Sequence, residues 1–140
     1  MQRCGKSLVE VSAGYTRLGL VEHAAGKAPA RVRNLIGAQA NYEELLLSAI
    51  SLWEFSKLLE KERLAISINP EEWILMALEM PKLRLVPLSP AIAYRSTILP
   101  KPFHDDPADQ ILVASAREEN AVILTSDERI RSYPHVQSLW

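Results

Sequence analysis

The 140-residue chain has a single cysteine, Cys4, so no internal disulfide can form, and a reducing cytosol suits it. No apolar run approaches the ~20 residues of a membrane span, and the first residues lack the long apolar core of a secretion signal. No glycine follows Gly37, which removes the material for a phosphate-cradling loop in the body of the chain, and no G-x-G-x-x-G or Walker-type pattern occurs. No aspartate precedes Asp105; all four, Asp105, Asp106, Asp109 and Asp127, stand close together. Neither sign of charge dominates, since 16 basic residues face 17 acidic ones. That balance excludes a generally basic nucleic-acid coat and leaves room only for a local cationic face.

What is present reads as one globular domain. Hydrophobic residues make up 48% and charged residues 24%, which excludes a disordered or low-complexity chain. A chain of this length buries roughly two-thirds of its unfolded surface, enough for a real core. The distribution is uneven, however. All five glycines fall within the first 37 positions. Residues 1–41 carry six basic groups against two acidic ones, Glu10 and Glu22, whereas residues 42–140 carry ten against fifteen.

From residue 31 onward the local signals alternate between strand and helix. A short helix is expected over 31–40, a buried strand at Leu45, Leu46 and Leu47, and then a helix opened by Ser51-Leu52-Trp53-Glu54, which has the S-x-x-E form of a capping box. Pro70-Glu71-Glu72 opens a helix through Met80, Leu83 to Val86 alternates like a strand, and Ser89-Pro90 caps a helix to about Thr97. After a proline-rich loop, Asp106-Pro107-Ala108-Asp109 starts a helix that Asn120 ends. A β-branched strand over 121–125, a helical turn after Asp127 and a last apolar run over 136–139 close the chain. Such alternation implies a parallel sheet covered on both faces. Before residue 28 only Leu8-Val9-Glu10-Val11 reads as a strand.

In such a sheet, side chains at strand C-termini and at the following helix N-termini collect along one edge, where ligands bind. Glu54, Asp109 and Asp127 all fall there. Each has a plainer reading: Glu54 as the capping-box partner of Ser51, Asp127 as the N-cap of the turn that follows, Asp106 as an N-cap only. Asp109 shares a helical stripe with Leu112, Val113 and Ala116, so its carboxylate faces inward and needs a partner. Capping explains each residue singly but not their common edge. Carboxylates gathered unpaired repel one another unless a cation joins them, and hard oxygen donors suit Mg²⁺ or Mn²⁺. His104 is a general base or phosphate contact at most, with a structural loop role as the plainer reading. Lys57, Lys61 and Arg63 follow Glu54 on its helix as a solvated face or a phosphate contact.

Assembled in this order, the chain resembles the PIN-domain ribonucleases, and among them the VapC-type toxins of toxin-antitoxin systems. Ser48-Ala49-Ile50-Ser51-Leu52-Trp53-Glu54 is similar to the family's S-x-x-S-x-W-E, the segment from Leu99-Pro100 through Asp106-Pro107-Ala108-Asp109 to L-P…H-x-D-P-x-D-R, and the strand ending Thr125-Ser126-Asp127 to T-x-D. The resemblance implies a three-layer α/β/α fold around a parallel sheet, with Glu54, Asp109 and Asp127 as catalytic metal-site carboxylates and Asp106, Thr125 and His104 in support. It implies a Mg²⁺- or Mn²⁺-dependent endoribonuclease of the cytoplasm, with an RNA substrate, a VapB-type antitoxin partner, a homodimeric state and no membrane association.

Three departures stand out. Gln110 replaces the family's arginine, Ala108 its bulky aromatic, and the opening strand ending in aspartate has no counterpart. That strand is therefore read as missing or atypical, and residues 1–27 as an atypical segment, out of frame or misassigned, ahead of a PIN-like domain over 28–140. The competing reading is an inactive member that keeps only antitoxin binding; a phosphorylated-aspartate receiver or phosphatase would need the early aspartate that is absent.

Overall fold

The computed structural model describes residues 6–9, 44–79 and 83–140. The helix expected over 31–40 lies outside them, as do Cys4, Glu10 and Glu22. The described elements are β1 (Lys6–Val9), β2 (Glu44–Ser48), α1 (Ala49–Glu60), α2 (Pro70–Leu78), β3 (Leu83–Val86), α3 (Pro90–Ser96), α4 (Pro107–Glu119), β4 (Val122–Leu124), α5 (Glu128–Arg131) and β5 (Ser138–Leu139). They form one parallel sheet in the order β3-β2-β1-β4-β5.

The opening strand is atypical and not missing. It comprises Lys6–Val9, two residues earlier than the apolar pattern suggests, and it lies at the centre of the sheet, with Val9 level with Leu47 on one side and Leu124 on the other. Strand order reverses across β1 and β4, which opens a crevice at the carboxyl ends of the strands.

Three helices start at a proline behind a capping side chain. The Asn69 side chain accepts from the backbone N–H groups of Glu71 and Glu72, Ser89 from Ile92, and Asp106 from Ala108 and Asp109. Proline at the first helical position costs nothing there, because its missing N–H would have no helical partner. Asn120 ends α4 in the left-handed region at φ 51°, the conformation that turns a chain out of a helix. The second helix stops at Leu78, short of the expected Met80.

Leu45, Leu46 and Leu47 are all at most 2% exposed, as a strand covered on both faces requires. Leu46 packs with Leu112, Val113 and Ile123 beneath α4, whereas Leu47 packs with Phe55 and Ala77 beneath α1 and α2. Phe55 stacks on Trp73 with centroids 4.4 Å apart. These two faces, with the sheet between them, are the three expected layers.

The amino-terminal edge of the sheet is tied by charge. The Arg84 guanidinium donates to Glu44 Oε1 at 2.7 Å and to Glu119 Oε2 at 2.6 Å, and Lys6 Nζ lies 3.4 Å from the same Glu119 oxygen. This joins β1, β2, β3 and the end of α4. Hydrogen bonds from Arg84 hold both glutamates below their usual range. Their contribution is therefore complete at neutral pH and fades as acidification protonates them. Because these groups are partly solvated, Arg84→Ala should cost only about 1 kcal/mol at neutral pH. Thermal melts should show that difference shrinking below the ordinary glutamate range.

Candidate active site

Helix α4 runs back against the sheet, so its first turn lies at the carboxyl edge of the strands. Asp109 is the third residue of that helix, and with Leu112, Val113 and Ala116 it forms the expected buried stripe; its side chain is 8% exposed. Asp127 follows β4 and caps α5, accepting the backbone N–H of Arg129 at 2.7 Å. The buried Thr125 accepts the Asp127 backbone N–H on its hydroxyl at 2.9 Å, which fixes the turn from β4 to α5. Asp106 acts as the N-cap it was expected to be, at 3.0 Å from Ala108 N and 3.3 Å from Asp109 N.

Glu54 comes from α1, and its capping-box reading fails. Strand β2 runs to Ser48, which becomes the N-cap, so Ser51 falls inside the helix, fully buried, with a hydroxyl that makes no hydrogen bond among the described residues. Glu54 therefore sits in the second turn, half-buried, where capping does not account for it. It lines a groove of about 460 Å³ with Ile50, Trp53, Asp106, Pro107 and Ala108. Trp53 is 55% exposed on that groove, and Lys57 lies 5.9 Å above its ring while pairing with Glu60.

The proline-rich loop delivers His104. Phe103 packs on Tyr133 with centroids 4.5 Å apart, and the Tyr133 hydroxyl donates to Pro100 O at 2.7 Å. Gln110, at the position where arginine was expected, donates its side-chain amide to His104 O at 3.0 Å. His104 Nδ1 accepts from Asp106 N at 3.4 Å, which turns Nε2 toward Asp109 Oδ2 at 3.3 Å, off the line of a hydrogen bond.

Burial, reinforced by the neighbouring charge of Asp106, pushes the Asp109 carboxyl above the usual aspartate range despite the opposing pull of Arg129. The Arg129 guanidinium holds Asp127 below that range. This arginine was not anticipated from the sequence. Its Nη2 stands 3.0 Å from Asp109 Oδ2 and 3.0 Å from Asp127 Oδ2.

The structure thus brings Asp109 and Asp127 to one point, with Asp106 and His104 beside them and Glu54 on the groove that Asp106 also lines. Among the described residues no three His, Cys, Asp or Glu side chains gather closely enough to hold a metal ion by themselves. Two hard oxygens converging on one positive centre still fit a hard cation: Mg²⁺ keeps most of its waters and takes one or two carboxylates, with substrate phosphate completing its shell. No helix among the described residues is long and apolar enough to cross a membrane.

Comparison with known proteins places this geometry in context. The PIN domain family pattern matches residues 19–136. Ribonuclease VapC22 of Mycobacterium tuberculosis is 36% identical over 93 residues, covering 66% of this chain and 70% of that protein. Among solved structures, VapBC2 from Rickettsia felis bound to a DNA fragment from their promoter superposes with a TM-score of 0.62 at 16% identity, covering 96% of this chain and 98% of that one. A toxin-antitoxin complex from Klebsiella pneumoniae gives 0.60 at 18% identity, covering 93% and 94%. At these identities the structural likeness speaks for the fold.

Proposed function

This chain belongs to the PIN-domain family, and from that premise we propose that it is a divalent-metal-dependent endoribonuclease, a VapC-type toxin that a VapB-type antitoxin neutralises. The observation that carries the reading is the convergence of Asp109 and Asp127 on a single cationic nitrogen at the carboxyl edge of the sheet, beside the groove that Glu54 lines. Glu54, Asp109 and Asp127 are the proposed holders of Mg²⁺ or Mn²⁺. When bound, such a cation stabilises charge on the phosphate oxygens and lowers the pKa of an attacking water.

The remaining residues position these three. Thr125 holds the Asp127 backbone, and the α5 cap holds its carboxylate. The Asp106 cap fixes the first turn of α4 and so the direction of Asp109. Gln110 and the Phe103–Tyr133 packing keep His104 against Asp109, where its Nε2 can hold a proton at the edge of the site. The exposed Trp53 gives the groove an apolar wall on which an RNA base can stack, with the Lys57 ammonium over its ring. We further propose a homodimer in the cytoplasm as the working form, with β1 belonging to the catalytic domain and not to a separate segment ahead of residue 28.

The test is direct. Purified protein incubated with structured RNA should cleave it in Mg²⁺, cease in EDTA, and recover when excess Mg²⁺ or Mn²⁺ is restored. Absence of both cleavage and divalent-cation binding would favour the inactive, antitoxin-binding reading instead.

A further inference from the structure

Arg129 has a role that capping and surface solvation do not explain. Its side chain is 55% exposed, yet it reaches inward to a carboxylate only 8% exposed. Nη2 is equally distant, at 3.0 Å, from one oxygen of Asp109 and one of Asp127, while Nε lies 3.3 Å from the second oxygen of Asp127. Exposed ion pairs contribute little, but a guanidinium that neutralises a buried carboxylate is costly to remove. Among the described residues the acidic side chains around it are Asp106, Asp109 and Asp127, and His104 faces Asp109 from the neighbouring loop.

We propose that Arg129 is a counter-ion supplied by the chain itself, which holds the Asp109–Asp127 pair in the metal-free protein and which a divalent cation must displace, so that it sets the protein's metal affinity. This rests on the reading of those carboxylates as metal holders. Two positive centres cannot share the same two oxygens without strong repulsion, so arginine and cation exclude one another. The backbone permits the exchange. Asp127 is capped by the backbone N–H of Arg129, not by its side chain alone, and Thr125 holds the turn independently. The guanidinium can therefore leave for solvent while both carboxylates stay in place, and no strand or helix has to shift.

Calorimetric titration of Mn²⁺ into the full chain and its variants tests this without reference to cleavage. Arg129→Gln removes the charge, leaves a shorter neutral polar group, and is expected to bind Mn²⁺ about tenfold more tightly than wild type. Arg129→Lys, which keeps the charge but loses the two-armed grip, should fall between. Metal-free Arg129→Gln should melt below wild type, and saturating Mn²⁺ should raise its melting temperature by more than it raises that of wild type. Equal or weaker Mn²⁺ binding in Arg129→Gln would overturn the proposal; should that variant fail to fold, Arg129→Lys binding no more tightly than wild type would do the same. Asp109→Asn in the same titration separates the two readings. If it binds Mn²⁺ as well as wild type, the carboxylate assignment itself fails; if it loses binding while Arg129→Gln is unchanged, only the role of Arg129 fails.

Discussion

Asp109→Asn is expected to reduce RNA cleavage by about 10²-fold or more and, at the same time, to raise the melting temperature of the metal-free protein at neutral pH. The two effects have one cause. Burial disfavours the Asp109 charge and lifts its pKa. Between the ordinary aspartate range and that raised value, the folded protein holds a proton that the unfolded chain has lost. Stability therefore falls as pH rises through this window, and above it the fold bears the full cost of the buried charge. Asparagine has the same shape and no charge, so it escapes that cost while losing the hard anionic ligand. Melts of both proteins from about pH 4 to about pH 7 should show the variant gaining on wild type as pH rises. A variant less stable than wild type at neutral pH would mean that pairing with Arg129 outweighs burial.

Removing β1 should have the largest structural effect. A chain that begins after Val9 is expected to lose cooperative folding altogether. The strand pairs over four positions with β2 and over three with β4, so its loss leaves two inner strand edges facing an empty lane. Each buried backbone group without a partner costs about 1–3 kcal/mol, and a few of these reach the 5–15 kcal/mol, roughly, that hold a domain together. Circular dichroism during heating would decide it: a sharp transition within a few degrees of the full chain would show that the sheet closes without β1.

These expectations show which parts of the molecule the residues announced. The prolines at 70, 90 and 107 each follow a side chain that can cap, and local chemistry of that kind is enough to start a helix. Asp109 was legible for a similar reason, since a carboxylate in step with Leu112, Val113 and Ala116 has nowhere to go but inward. Ser51 misled because S-x-x-E reads the same inside a helix as at its start; the register of β2 against β3, which carries Ser48 to Val86, extends the strand so that the helix begins at Ala49. The four residues Lys6–Val9 carry too little pattern to declare a central strand, and their place is set by neighbours far along the chain. Arg129 was hidden for a different reason. An arginine in a one-turn helix reads as a solvated charge, and only the meeting of α4 and α5 puts two carboxylates within its reach.

The position of β1 also orders events during synthesis. It is made first, but one of its partners is β4, with Ser7 level with Val122. A nascent chain still short of β4 carries an unfinished sheet, and Asp127 has not yet been added. Pairings this distant in sequence form late. The two carboxylates and the arginine between them therefore come together only once β4 and α5 have joined the sheet, so the charged pair and its counter-ion arrive in one step.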